Sequence, residues 1–316
     1  MIDHILQRNE FQNNPPVLVD IGASGEIHHK WKKIAKYAIC IAFDADDREM
    51  NFTENISSGF KKLITINRIV TDRIDGEVDF FLTQSPFCSS TLEPDLGKLS
   101  KWPFQNLFTV EKKIKLKAVQ LVDALKNAGI NGIDWLKIDT QGTDLRLFKS
   151  LPEIIRNNTL IAEFEPGIID AYKGEDKLYE VIGFMSKSGF YMSSIDIKGV
   201  QRIDQNTIAQ FSRLQQRAFR GSHKISPGWG EVCYMNSMEN EIMDKRSYLL
   251  AYVFALIEKQ YGFALEIAEK GAKKTGDVFF NDLKNHALKR ISNIQFKWPF
   301  FAVKNKLDKV FDAIFR

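Results

Sequence analysis

Asp20, Gly22, Ser24 and Gly25 fall where a short apolar run, residues 17–19, gives way to a helical pattern. Glycines at such a junction let the backbone approach a ligand closely, and a helix start offers unpaired N–H groups. In dinucleotide enzymes these groups hold a pyrophosphate. Here the turn opens with an acid, Asp20. A carboxylate repels a phosphate but can hydrogen-bond the ammonium of an amino-acid-bearing cofactor, directly or through water. These residues therefore favour S-adenosylmethionine over NAD. Asp44 ends the next apolar run, where an acid commonly takes ribose hydroxyls. Asp72 follows a third run and could reach an adenine edge, with a surface turn as the plainer reading. Read as turn residues alone, Gly22 and Gly25 only bend the chain and Asp44 only caps a helix; two acids at successive strand ends raise the cofactor reading above that.

A second set of candidates lies further along. Lys137 and Asp139 share one face of an apolar run at residues 135–139, and Glu163 and Glu165 share one face of the next, at residues 160–164 and just beyond. Asp139 is the candidate base or acceptor-orienting group, with an N-cap of the following helix as its structural alternative. A lysine within an apolar run is costly unless paired, so Lys137 reads first as an ion-pair partner of Asp139 or Glu163. Asp139, Glu163 and Glu165 together could hold a divalent cation, although close carboxylates more often share a proton or a lysine. No metal is assigned. His28 and His29 titrate in a useful range but flank Lys30, Lys32 and Lys33, which suits a solvated or cofactor-edge position. Cys88-Ser89-Ser90 has no neighbouring base, so it reads as shaping a pocket rather than as a nucleophile.

The elements that must position these residues alternate between strand and helix, which implies an α/β fold with a mostly parallel sheet covered on both faces. Apolar runs at residues 17–19, 38–43, 63–70, 135–139, 160–164, 190–197 and 231–235 read as strands. Residues 27–38, 118–128 and 178–185 read as helices, and Asp75-Gly76 as a hairpin turn before Val78, Phe80 and Leu82. The long connection at residues 204–230 gathers Arg213, Arg217, Arg220, His223 and Trp229, and reads equally as an acceptor lid or a polar surface helix. From residue 239 three helical patterns follow, at 246–260, 261–270 and 278–291. The expected division is residues 12–238 for the cofactor-binding domain and 239–316 for a helical appendage.

The chain has 316 residues, 44 basic against 40 acidic, for a net charge of +4. That excess, without a basic stripe, argues against a nucleic-acid partner. Three scattered cysteines suit a reducing compartment. The N-terminus has no apolar signal segment, and the longest apolar run, residues 249–257, is too short to span a bilayer. A cytoplasmic protein is expected. At residues 296–316, Phe296, Trp298, Phe300 and Phe301 precede an apolar helix face interleaved with lysines. Such a segment packs on its own domain or lies on an anionic membrane at the inner face.

Taken together, these segments resemble a known family. Residues 20–31 (DIGASGEIHHKW) and Phe43-Asp44-Ala45-Asp46 resemble the opening of FkbM-type methyltransferases. Residues 86–94 resemble a Cys-Ser-Ser loop of one branch of that family. Residues 134–145 (DWLKIDTQGTDL) are similar to its Lys-Ile-Asp segment, with Gln141 where many members carry Glu. Residues 162–166 and Tyr172 continue the likeness. One departure is Glu26, where most members have glycine, which ranks Asp20 and Gly22 ahead of Ser24 and Gly25 as contacts. The resemblance spans residues 17–236 and implies a Rossmann-like class I methyltransferase sheet, S-adenosylmethionine as donor, and a hydroxyl acceptor on a sugar, glycan or secondary metabolite. A non-catalytic glycan- or partner-binding module on the same fold is the alternative, with an NAD-linked oxidoreductase behind it. Oligomeric state is not encoded in any of these features.

Overall fold

The structure, a computed structural model, describes residues 1–23, 28–43, 59–73, 76–222, 224–299, 302–303 and 306–307. The strands are β1 (Val17–Ile21), β2 (Ile39–Phe43), β3 (Lys62–Ile66), β4 (Ile69–Thr71), β5 (Gly76–Thr83), β6 (Val110–Gln120), β7 (Trp135–Ile138), β8 (Ile161–Phe164), β9 (Phe190–Val200) and β10 (Ser226–Asn236). Seven of them form a sheet in the order β3-β2-β1-β7-β8-β10-β9. The first five run parallel, and β10 runs antiparallel to both β8 and β9. This is the mostly parallel, Rossmann-like sheet expected from the sequence. β1, β2, β7 and β8 are short and almost wholly buried, as strands covered on both faces must be. One face carries Val19, Ile21, Ile41, Phe43, Leu136, Ile138, Ala162 and Phe164 into a core with Leu121, Leu125, Leu145, Phe148, Val181 and Met185 from the helices.

Strand order reverses between β1 and β7, each of which leads away from the other along the chain. Ligands in open parallel sheets sit beyond the carboxyl ends of the strands at such a switch point. The strand ends there are tied together. Asp139 N–H donates to Ile21 O at 2.9 Å, and Gly22 N–H donates to Phe43 O at 3.1 Å. At the other end, Asp134 Oδ2 accepts from Val17 N–H at 2.8 Å, fixing the register of β7 on β1.

Four local readings of the sequence are corrected. Residues 63–70 are two strands, not one: β3 closes the large sheet, whereas β4 joins a second sheet of order β4-β6-β5. The described strands β4 and β5 do not pair as a hairpin, because β6 lies between them. The stretch at 118–128 is the end of β6 followed by a helix, Leu121–Asn127. β6 itself escaped because Lys112, Lys113, Lys115 and Lys117 dominate its composition, although Ile114, Leu116 and Ala118 alternate with them. Residues 29–37 form two 3-10 turns, His29–Lys33 and Ala35–Tyr37, rather than one α-helix.

The chain forms two compact units, residues 6–241 and residues 1–5 with 242–316. The smaller contains the helices Lys245–Ile257, Tyr261–Thr275 and Phe279–Ser292. In the first, every residue from Tyr248 to Ile257 is buried. Tyr252 donates to Leu283 O at 2.7 Å, and Gly271 leaves room for the Phe280 ring. Of the tail, Phe296, Trp298, Val303 and Leu307 are exposed. No described helix is long and apolar enough to cross a membrane.

Candidate active site

A cavity of about 490 Å³ opens at the switch point, lined by Gly22 and Phe43 beyond β1 and β2, by Ile69 and Val70 from β4, and by Asp139 and Glu165 beyond β7 and β8. Gly22 is required there. Its φ is +83°, and a Cβ would stand 2.0 Å from the carbonyl oxygen of Asp139. Beyond β7 the chain turns through Gln141, a non-glycine residue at φ 57°, and Gly142. Ser90 Oγ donates to Gln141 O at 2.8 Å, so the Cys-Ser-Ser loop braces that turn. The Gln141 side chain donates from Nε2 to Asp139 Oδ1 at 2.8 Å, and its Oε1 lies 3.2 Å from the Tyr172 hydroxyl. Asp139 is thus oriented from one side by an amide and faces Lys137 Nζ at 3.8 Å on the other.

Asp20 does not stand open at the glycine turn. It is fully buried; its Oδ1 accepts from Lys137 Nζ at 3.2 Å and its Oδ2 from the His28 N–H at 3.1 Å. It therefore closes the turn on the chain itself, and the acid facing the cavity is Asp139. Lys137 bridges the two carboxylates, and Asp20, followed by Asp139, raises its pKa against the opposing effect of burial. The pairing expected between Lys137 and Glu163 does not form. Glu163 instead accepts from Trp135 Nε1 at 2.7 Å and lies 3.2 Å from His28 Nε2 and 3.1 Å from Lys30 Nζ. Burial disfavours its charge, but His28 and Lys30 prevail and bring its pKa down to about 2. So low a pKa makes Glu163 a poor proton acceptor; it is an anchor for the 3-10 segment. His28 is partly buried against it, whereas His29 is exposed.

Glu165 behaves oppositely. Burial, then Asp139, Asp144 and Glu231, push its pKa up to about 9, against the pull of Lys137. Asp144, fully buried at the start of the helix Asp144–Ser150, is raised to about 6 by burial and Asp139, while Thr140 and the Glu165 N–H hydrogen-bond its carboxylate. Among the described residues no group of three or more His, Cys, Asp or Glu side chains is arranged to hold a metal ion.

Ser24, Gly25 and Asp44 lie outside the described residues. Asp72 follows β4 in the small sheet, pairs with Arg73 at 3.1 Å and is not among the residues lining the cavity. The connection before β10 forms the helices Gln205–Ile208 and Arg213–Ser222, with Arg213 and Arg217 exposed. Only Gly228 and Trp229 from that region line the cavity, so the surface-helix reading holds for its described basic part. Gln141 and the aromatic wall of Phe104 and Phe108 are the site features the sequence reading left without a role. The glutamine beside a glycine was visible, but nothing in spacing showed that its backbone turns left-handed.

Residues 37–192 match the family described as Methyltransferase FkbM domain. Over those residues the chain resembles an FkbM methyltransferase domain. The match runs from the turn before β2 into β9 and takes in Lys137, Asp139, Glu163, Glu165 and the Cys-Ser-Ser loop, but begins after β1 and its glycine turn. No curated protein matches the chain. The acids that face the cavity thus lie within the matched region, and the turn that faces them precedes it.

Proposed function

We propose that this protein is an S-adenosylmethionine-dependent O-methyltransferase that methylates a hydroxyl of a sugar, glycan or secondary metabolite. The observation that carries the reading is the cavity at the β1–β7 switch point, bounded by Gly22 on one side and Asp139 on the other. In its described lining Glu165 is held neutral and Glu175 is paired with Lys177, which leaves the Asp139 carboxylate as the acid at the glycine turn. The ammonium of an amino-acid-bearing donor suits that carboxylate, and a pyrophosphate beside it does not. Phe43, Ile69 and Val70 offer apolar walls for a flat base. Gly22, Phe43, Ile69, Val70 and Asp139 are therefore the residues that would hold S-adenosylmethionine, which supplies an electrophilic methyl group on sulfur.

Asp139 takes the proton of the acceptor hydroxyl. When bound, S-adenosylmethionine would supply a methyl group on a sulfonium whose thioether product needs no acid, which leaves the chain to take the acceptor's proton and hold the two in line. Gln141 and Lys137 hold the Asp139 carboxylate in place, and positioning supplies most of the remaining acceleration. Asp139→Asn removes the proton acceptor while keeping the shape. At saturating donor it is expected to lower transfer of labelled methyl from S-adenosylmethionine by about 10²-fold or more. Undiminished turnover would rule Asp139 out as the base.

The exposed Phe296, Trp298, Val303 and Leu307, with Lys306 beside them, support peripheral contact of a cytoplasmic protein with an anionic membrane. Removing residues 294–316 is expected to abolish co-sedimentation with phosphatidylserine vesicles; equal sedimentation of both forms contradicts it.

A further inference from the structure

The end of the cavity away from Gly22 is built by another part of the chain. Phe104, Phe108 and Tyr172 form a continuous run of rings, with centroids 5.9 Å apart from Phe104 to Phe108 and 5.5 Å from Phe108 to Tyr172. All three line the cavity. Phe87 and Leu107 also line it, yet are 63% and 45% exposed, large apolar side chains held against water. Exposed apolar groups concentrated at a cavity mark a ligand surface rather than a fold requirement.

Three polar side chains of the lining, Tyr172, Glu175 and Ser89, are engaged by the chain itself. The Tyr172 hydroxyl lies 2.8 Å from Cys88 O and 3.2 Å from Gln141 Oε1. Glu175 Oε1 accepts from the Ala171 and Tyr172 N–H groups and from Lys177 Nζ. Ser89 Oγ accepts from the Thr83 N–H. Burial pushes the Cys88 thiol up to about 11, so it is neutral. A free sugar brings a hydroxyl on nearly every carbon, and each one buried without a partner costs free energy. A ring-bearing apolar body loses nothing against this wall and gains by covering it. The run of rings ends at Tyr172, which reaches Asp139 through the single side chain of Gln141.

We propose that the acceptor is an apolar, ring-bearing alcohol or phenol, its ring lying along Phe104, Phe108 and Tyr172 and its reacting hydroxyl delivered to Asp139. This narrows the methyl-transfer reading and rests on it for the fate of the hydroxyl, but not for the binding of the ring.

Calorimetry on the full chain tests it, with 4-benzylphenol and methyl glucoside as probes and S-adenosylmethionine titrated separately. 4-Benzylphenol is expected to bind at least about 10-fold more tightly than methyl glucoside. Phe104→Ala is expected to weaken 4-benzylphenol about fivefold without moving donor affinity. Leu107→Asp, at an exposed position, puts a charge on the apolar wall and should weaken the phenol in the same direction even where Phe104→Ala fails to fold. Equal or tighter binding of methyl glucoside overturns the proposal, as does phenol binding that neither variant moves. A protein that binds the phenol but not S-adenosylmethionine keeps the ring site and loses the methyl-transfer reading; the reverse result loses only the ring site.

Discussion

Gln141 holds φ at 57°, a conformation that costs a non-glycine residue on the order of 1 kcal/mol or more. Its surroundings offset that cost through three partners: Ser90 on its carbonyl, Asp139 on its amide nitrogen and Tyr172 on its amide oxygen. Glu165 is the other residue whose state is set by neighbours. Its pKa, raised to about 9 from an ordinary 4.5, means the folded chain binds this proton more tightly than the unfolded chain does. The stability it contributes is therefore complete below pH 4.5 and is lost as pH rises through about 9. Between pH 6 and 10 the melting temperature of the wild type is expected to fall, and Glu165→Gln, which imitates the protonated form, should flatten that decline. Parallel curves for the two proteins would place the Glu165 proton elsewhere. Glu163 runs the other way: lowered to about 2, it stabilises the fold above pH 4.5, and that contribution is lost as pH falls through about 2.

At the scale of elements, the two glycine-bearing turns do different work. The turn after β1 must pass within contact of the turn after β7, and only Gly22 allows it. Gly22→Ala forces a Cβ against a backbone carbonyl at positive φ, and a loss of about 3 kcal/mol or more in thermal unfolding is expected. Gly132→Ala, with nothing within 4 Å of the added carbon, is expected to change stability by less than about 0.5 kcal/mol. Equal effects at the two positions would deny the close approach. Both turns were legible in the sequence because an apolar run stops at an acid: Asp20 before Gly22, and Asp139 before Gln141-Gly142. What each acid does was not legible, since β pairing brings Lys137 beside Asp20 across 117 residues. The 3-10 segment was missed for a related reason. His28 and Lys30 are held by Glu163, a partner 133 or more residues away, and their helical periodicity says nothing of it.

Across the whole molecule, the parallel half of the large sheet could be read from its buried apolar runs, because each of those strands is covered on both faces. The second sheet could not. β4 and β6 pair over a long intervening chain, and the lysines of β6 hide its alternation. The three helices of the smaller unit were readable from their periodicity, and the glycine that lets two of them approach was not. What unites these scales is the switch point, where strand order alone brings a turn outside the matched family region to the carboxylate inside it. The most direct measurement is a crystal structure of the full chain soaked with S-adenosylmethionine. Density for the adenosine and methionine parts between Gly22 and Asp139 is the predicted result. A donor bound elsewhere, or a dinucleotide taken up at that position in its place, would contradict it.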